Sequence, residues 1–171
     1  MCIRDSDGGT VENIHVHHVT GNTLRYADGA MCKGAPLWWG KGEPIFLSAT
    51  KRAGVDRLPG KIRNLTFDHL TLTAESCIFI GGEEYSPIEN VRLEEVDITW
   101  KQQSKHKPDV FDEQPSVRDV YPHEIPCLYA RQVQGLTVKG RFVLDGSMKE
   151  TIRRREILEG CADCAIEAEQ R

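Results

Sequence analysis

Four residues in one short segment have side chains suited to binding a sugar: Trp38, Trp39, Lys41 and Glu43. Aromatic rings pack against the apolar faces of sugar rings, and an ammonium group pairs with a uronate carboxylate. Neighbouring residues of a strand point to opposite faces, so only one tryptophan can face a core. The other lies over a groove, or the Trp pair closes a turn. Glu43 has no second carboxylate placed opposite it, and Glu-Pro can simply begin a strand.

A second candidate set consists of His15 and His17, which lie two residues apart in a predicted strand and therefore share its outward face. Ile14 and Val16 alternate with them as predicted inward residues. Two imidazoles at this spacing are a possible metal site, but no carboxylate takes a matching position, so we expect no metal and no cofactor. A solvated face, or a face along which a sugar chain lies, is the favoured interpretation.

The elements that must position these residues belong to a repeat of apolar residues around an Asn or Gly. Its copies start at residues 11, 62, 88 and 133, and read VENIHVHHV, IRNLTFDHL, IENVRLEEV and VQGLTVKGRF. The starts are therefore 51, 26 and 45 residues apart, which is one or two units of the repeat length typical of a solenoid. In a solenoid each short strand buries its apolar face on the next copy. The Asn or Gly is predicted to turn the chain, because both tolerate a left-handed backbone.

A second repeat lies between the copies of the first and reads EPIFLSA, SCIFIGG, PCLYARQ and DCAIEAE. Its alignment predicts that Pro44, Cys77, Cys127 and Cys164 occupy equivalent positions. Strand-forming residues dominate both repeats. Two alternating strand families predict an all-β fold, namely a right-handed parallel β-helix, because parallel connections are right-handed as a rule.

The expected domain organisation is simple. Residues 1–6, MCIRDS, match no strand pattern and no signal peptide, and look like the translation of a transposon adaptor used in sequencing libraries. Residues 7–171 are then a single β-helix domain truncated at its N-terminus. A long polar loop is predicted over 101–124. The run at 149–159, KETIRRREILE, is read as a short helix or a charged loop.

Composition excludes several partners. The 171 residues carry a net charge of −4, which argues against a nucleic-acid or anionic-membrane surface. No apolar run approaches the length of a membrane span. Three of the six cysteines, Cys77, Cys127 and Cys164, fall at predicted core positions, where buried free thiols are expected. The CxxC of Cys161 and Cys164 lacks a redox or zinc context.

Three blocks together resemble glycoside hydrolase family 28, the polygalacturonase-like β-helix enzymes. They are APLWWGKGEPIFLSATKR, GKIRNLTFDHLTLTAESCIFIGG and SPIENVRLEEVDIT, and the likeness covers residues 8–99 best. Bacterial members often show a W-G-x-G-E-P-I segment. The resemblance implies inverting hydrolysis of galacturonan or a related glycoside, which requires one carboxylic acid and one carboxylate base. It also implies an extracellular or periplasmic protein that is a monomer at full length.

The family's catalytic motifs cannot be read in this chain. They are an Asn-x-Asp, an Asp pair, a Gly-His-Gly and an Arg-x-Lys, and SDGGTVENI resembles the segment that follows the Gly-His-Gly. The catalytic aspartates are therefore expected upstream of Met1, and no catalytic residue is assigned. Arg25 is at best a displaced equivalent of the family's Arg. The candidate substrate-binding residues are therefore Arg25, His15, His17, Trp38, Trp39, Lys41 and Glu43.

Two other functions stay open. A non-catalytic β-helix for polysaccharide binding or adhesion fits the repeat equally well, because a fold does not fix a function. A calcium-dependent eliminase would need a ladder of outward aspartates, which the sequence does not show. For both the hydrolase and the non-catalytic module, the expected partner is a polysaccharide or oligosaccharide.

Overall fold

The computed structural model describes residues 1–5, 7–25, 42–52, 54, 56–106, 110–112, 120–122 and 125–170. Over these residues the regular structure is almost entirely β. The strands are β1 Cys2–Arg4, β2 Thr10–Thr23, β3 Phe46–Ser48, β4 Lys61–Ala74, β5 Ile78–Gly81, β6 Ile88–Trp100, β7 Val110–Asp112, β8 Val120–Pro122, β9 Leu128–Arg131, β10 Val133–Leu144, β11 Glu156–Glu159 and β12 Ala162–Gln170, with a short 3-10 helix at Gly146–Met148.

Ten of these strands form two parallel sheets. One, the short-strand sheet, has the order β1-β3-β5-β9-β11, and the other, the long-strand sheet, has the order β2-β4-β6-β10-β12. The chain passes from one sheet to the other and back, so each sheet supplies the crossover that parallel pairing in the other requires. The prediction of an all-β chain of parallel strands is confirmed. The right-handed solenoid stays a prediction.

In the long-strand sheet the core lies on the inward face, whereas the interior strands of the short-strand sheet, β3, β5 and β9, are buried on both faces. The apolar residues of the first repeat are fully buried on β4, β6 and β10, whereas those of the outermost strand β2, including Ile14 and Val16, are half-buried. The polar residues that alternate with them are exposed or half-buried. The apolar rows continue from strand to strand in register, and an aromatic stack of Phe46, Phe79 and Tyr129 runs through the short-strand sheet with ring centroids 4.9 and 5.4 Å apart. The alternation of the first repeat predicts Leu65, Phe67, Val91, Leu93, Leu136 and Val138 as inward and Thr66, Arg92 and Thr137 as outward, and the structure confirms both sets.

A ladder of left-handed residues bends every long strand at the same position. Asn13, Asn64, Asn90, Gly135 and Asp163 have φ of 58°, 56°, 54°, 76° and 54°. The Asn64 amide donates to Asn13 Oδ1 at 3.1 Å, and the Asn90 amide donates to Asn64 Oδ1 at 3.1 Å. Asparagine therefore bends the chain and also bonds adjacent strands. The predicted left-handed role of Asn or Gly is confirmed.

The alignment of Cys164 with the second repeat is wrong. Cys164 pairs with Leu136 in the long-strand sheet. The fifth strand of the short-strand sheet is instead β11, where Glu156 pairs with Leu128, so Arg155 just before β11 takes the position equivalent to Cys127. The segment DCAIEAE thus continues the first repeat, and the end of the run read as a helix or charged loop is strand β11. Cys77 and Cys127 are buried, and burial raises the pKa of the Cys127 thiol to about 12.

Two segments that were expected to contain no strand do contain strands. The first residues were expected to form no strand, but β1 pairs with β3, and the Phe46 N–H donates to the carbonyl of Met1 at 2.8 Å. This expectation was wrong because hydrogen bonds to the neighbouring strand, rather than an apolar pattern, place such a short strand. Within 101–124, β7 and β8 pair antiparallel as a separate two-stranded sheet.

Candidate functional site

The outward face of the long-strand sheet carries the exposed polar residues that could bind a ligand. Described residues line two depressions on this face. The smaller, of about 370 Å3, is called the arginine pocket and is lined by Asn64, Thr66, Asn90 and Arg92. The larger, of about 620 Å3, is called the acidic groove and crosses four strands; it is lined by His69, Thr71, Glu94, Glu95, Asp97, Lys139, Gly140, Arg141 and Glu169.

The arginine pocket is built by strand register. Thr66 lies opposite Arg92, so a hydroxyl and a guanidinium share one outward row. Asn64 and Asn90 border this row, and their amides are oriented by the ladder bond between them. Arg92 is exposed and makes no ion pair with any residue that the structure describes. A guanidinium framed by amides and a hydroxyl matches the carboxylate and hydroxyl groups of an acidic sugar.

The acidic groove carries a net negative charge, unlike the arginine pocket. Four carboxylates face two basic side chains, so its formal charge is −2 when His69 is neutral. One pair is already formed, because the Arg141 guanidinium donates to Asp97 Oδ2 at 2.6 Å. Such an ion pair between exposed side chains on adjacent strands contributes little to stability, but its two charges neutralise each other. The groove as a whole repels a continuous polyanion.

A histidine cluster joins the acidic groove to β2. Asp68 contacts the rings of two histidines, through His15 Nε2 and through His69 Nδ1, the second at 3.0 Å. The other ring nitrogen of His69 lies 3.2 Å from Glu95 Oε2, and His18 stacks on His69 with ring centroids 4.7 Å apart. The hydrogen bond from His15 is the largest cause that holds the pKa of the Asp68 carboxyl below its ordinary value.

This cluster sits at a second corner that the sequence analysis missed. His18, His69 and Glu95 all have positive φ, at 54°, 52° and 53°. The signal was present in the sequence. At each of these places two polar residues follow one another, as His-His, Asp-His and Glu-Glu, and so interrupt the alternation that a straight strand requires. Such a doubled polar position marks a bend as clearly as the Asn of the first corner.

The cluster does not form a metal centre. Within the described ranges, no group of three or more His, Cys, Asp or Glu side chains is arranged to hold a metal ion. The same part of the chain contains no helix with the length and apolar composition needed to cross a membrane.

The structure brings together only some of the predicted site residues. His15 and His17 are exposed on the outward face, as predicted, with ring centroids 5.0 Å apart. Arg25 is only 1% exposed, which does not favour a contact with a surface polysaccharide. Glu43 is half-buried just before β3 of the short-strand sheet. The remaining candidates, Trp38, Trp39 and Lys41, lie outside the described residues.

Arg25 belongs to an interior network centred on Glu75, which is fully buried. The Glu75 carboxylate accepts backbone N–H groups from Arg25 at 2.6 Å and from Gln103 and Ser104 at 2.5 Å each. Burial by itself raises the pKa of Glu75, but the hydrogen bonds from Ser104, Arg25 and Gln103 together hold it below its ordinary value. Glu75 lies directly after β4, so its carboxylate fixes the segments that follow β2 and β6 to the end of β4. This carboxylate does not face a ligand.

Comparisons of the chain with protein-family models, with curated proteins and with solved structures found no match.

Proposed function

We propose that this chain is part of a polygalacturonase-like glycoside hydrolase, folded as a right-handed parallel β-helix, and that the outward face of its long-strand sheet binds polysaccharide. Two parallel sheets that exchange the chain, and a ladder of bends repeated on five strands, support a solenoid. In such a fold the strands stack at a constant spacing, so an extended polymer meets similar side chains at regular intervals.

The observation that carries the proposal is the arginine pocket. Arg92 presents an exposed guanidinium without an ion-pair partner among the described residues, and Asn64, Thr66 and Asn90 surround it with neutral donors and acceptors. A guanidinium that no described carboxylate neutralises is available for a carboxylate of a ligand. The amides and the hydroxyl supply the shorter-range hydrogen bonds that sugar hydroxyls require.

The neighbouring acidic groove narrows the ligand class. A uniformly charged polyuronate that extends from Arg92 into this groove meets a formal charge of −2. A polymer with spaced carboxylates, such as a partly methyl-esterified galacturonan or a chain that alternates uronate with neutral sugar, avoids this repulsion. It places one carboxylate at Arg92 and neutral hydroxyls against the groove carboxylates, which accept their hydrogen bonds.

The described carboxyls whose pKa is shifted do not include a proton donor for inverting hydrolysis. An inverting hydrolase needs one acid whose pKa is raised so that it holds its proton. The described Asp and Glu carboxyls with a shifted pKa are Asp68, Glu75 and Asp145, and all three shifts are downward. Asp68, Glu75 and Asp145 are therefore not assigned as the catalytic acid of the proposed enzyme. The second candidate function is a non-catalytic module that binds polysaccharide, since the arginine pocket by itself supplies groups for binding.

The proposal is tested by calorimetric titration of the chain with oligogalacturonides of defined esterification. Arg92→Gln is expected to weaken binding about tenfold, equivalent to about 1.4 kcal/mol, because it removes one charge-assisted contact. Arg153→Gln is the matched control, since Arg153 is also exposed but pairs with Glu150 in a turn. Equal affinity of wild type and Arg92→Gln, or tighter binding of fully de-esterified than of partly esterified chains, would contradict the proposal.

A further inference from the structure

Four of the chain's six histidines lie on the outward face of the long-strand sheet, beside the arginine pocket. His15 of β2 lies opposite Thr66 of β4, and Thr66 lies opposite Arg92 of β6, so His15 belongs to the outward row that contains the pocket guanidinium. Neighbouring strands lie about 4.8 Å apart, which places the backbones of His15 and Arg92 about 10 Å apart. The four exposed histidines are His15, His17 and His18 of β2 and His69 of β4.

Two carboxylates contact this histidine cluster. Asp68 Oδ2 contacts His15 Nε2, and Asp68 Oδ1 lies 3.0 Å from His69 Nδ1. The other ring nitrogen of His69, Nε2, lies 3.2 Å from Glu95 Oε2. A neutral imidazole has one N–H group, so it donates to only one of the two carboxylates, whereas an imidazolium donates to both. The arrangement therefore accepts a proton at His69 without moving any side chain.

His17 and His18 complete the cluster by contacting each other. Their Nδ1 atoms lie 3.0 Å apart, and the ring of His18 stacks on that of His69 with an angle of 8° between the planes. In a hydrogen bond between two Nδ1 atoms one ring donates and the other accepts, so at least one of the two rings is neutral while this bond is kept. In its present arrangement the cluster therefore accepts three protons, at His15, at His69 and at one ring of the His17–His18 pair.

The net charge of the cluster changes sign when these protons bind. With neutral rings its formal charge is −2, from Asp68 and Glu95, and with three protonated rings it is +1. Histidine is the side chain whose ordinary pKa lies within the physiological pH range. The hydrogen bond with His15 is the largest cause that holds the pKa of Asp68 below its ordinary value, so Asp68 stays ionised while histidines titrate.

The other charged groups around the cluster lie on β2, β4, β6 and β10. Glu94 of β6 is opposite Asp68 in register, and Lys139 of β10 lines the acidic groove together with Glu94. Glu12 and Arg63 form an ion pair at 2.5 Å on β2 and β4. Each of these pairs of groups, Glu94 with Lys139 and Glu12 with Arg63, has a formal charge of zero. The histidine cluster therefore determines how the charge beside Arg92 changes with pH.

We propose that the histidine cluster links polysaccharide binding at the arginine pocket to protonation, so that binding of a uronate takes up protons and affinity rises as pH falls. The inference rests on the proposed function of the outward face and adds a control of that site by pH. The carboxyl of a uronate stays ionised above about pH 5, because an ordinary carboxyl pKa is about 3.5–4.5. The charge of the ligand is then constant while the charge of the cluster changes from negative to positive, which favours the bound polyanion.

Calorimetric titration with a partly methyl-esterified oligogalacturonide at pH 7.5 and at pH 5.5 tests the linkage. The ionic strength is held at about 10 mM, where the Debye length is about 30 Å and screening is weak. Wild type is expected to bind about fivefold more tightly at pH 5.5, the effect of about three unit charges about 10 Å away in water. At pH 6.5, titrations in two buffers of different ionisation enthalpy should show net uptake of about 0.4 proton per ligand, as linkage requires.

Variants assign the pH effect to the cluster. The double variant His15→Gln with His69→Asn should reduce the ratio of affinities at the two pH values to below about twofold; Asn is chosen because residue 69 has a φ of 52°, which Asn tolerates. His15→Gln alone is the milder variant and should lose part of the ratio. His106→Gln is the matched control, because His106 lies in the segment after β6 and outside the cluster, and it should keep the full ratio. Arg92→Gln should weaken binding at both pH values and also keep the ratio.

The outcomes separate this inference from the proposed function. Binding of equal affinity at both pH values, without proton uptake, overturns the linkage and leaves polysaccharide binding intact. Absence of binding at either pH overturns both. A ratio as large in the double variant as in wild type, with the sheets retained by circular dichroism, assigns the pH effect to other groups and overturns the role of the histidine cluster.

Discussion

Phe67→Ala is expected to reveal how strongly the inward rows hold neighbouring strands together. Phe67 is fully buried in β4, in a row with Val16 on one side and Leu93 on the other. Truncation removes a whole aromatic ring between two packed neighbours, and the parallel strands on both sides limit collapse of the cavity. The expected loss is about 3–5 kcal/mol of unfolding free energy, a large share of the stability of a domain of this size.

Urea unfolding followed by far-ultraviolet circular dichroism measures this loss. Val16→Ala is the matched control, because Val16 occupies the same row but is half-buried on the outermost strand. It removes less apolar surface from a partly solvated site, so about 1 kcal/mol is expected. A loss below about 1 kcal/mol for Phe67→Ala, or equal losses for the two variants, would refute the packing of Phe67 between strands.

Two further predictions concern the bends and the interior carboxylate. Asn64→Ala should cost about 1–2 kcal/mol in urea unfolding, since it loses two ladder bonds and forces alanine to φ of 56°, whereas Asn64→Gly should recover part of the loss; equal effects of Ala and Gly would contradict a backbone role. The lowered pKa of Glu75 means that its ionised form stabilises the fold above its ordinary pKa, and that this contribution is lost as pH falls through the lowered value. Glu75→Gln should therefore lower stability at neutral pH and reduce its decline on acidification, and an unchanged stability-against-pH curve would contradict this.

The repeated apolar positions made the strands and core of the long-strand sheet predictable. An inward residue must meet its equivalents on both neighbouring strands, so apolar type recurs at fixed positions such as Leu65, Val91 and Leu136. The Asn corner was predictable for a similar reason. A left-handed backbone restricts the residue type, and at Gly135 an added Cβ would lie 2.9 Å from the Oδ1 of Asn90.

The errors arise where local pattern does not determine the pairing. DCAIEAE alternates like the strands of either sheet, and only its pairing with β10 shows that Cys164 lies in the long-strand sheet. β1 is three residues long, too short to carry a period, and its hydrogen bonds to β3 define it. Arg25 has the residue type of a surface ligand contact, yet contacts distant in sequence, including Glu75, enclose it.

The candidate site was only partly predictable for the same reason. Outward alternation placed His15 and His17 on the exposed face, but a site on a sheet is assembled across strands. Arg92 becomes a binding candidate because Thr66, Asn64 and Asn90 lie around it, and that neighbourhood depends on a register between segments about 26 residues apart. A single strand read alone shows an ordinary exposed arginine.

The central claim, that the outward face of the long-strand sheet binds polysaccharide at the arginine pocket, is tested most directly by nuclear magnetic resonance. Isotope-labelled chain is titrated with a partly methyl-esterified oligogalacturonide, and backbone amide shifts are followed. The claim predicts saturable shifts centred on Asn64, Thr66, Asn90 and Arg92, with smaller shifts along the acidic groove. Saturable shifts centred on the short-strand sheet, or no shifts at millimolar ligand, would contradict it.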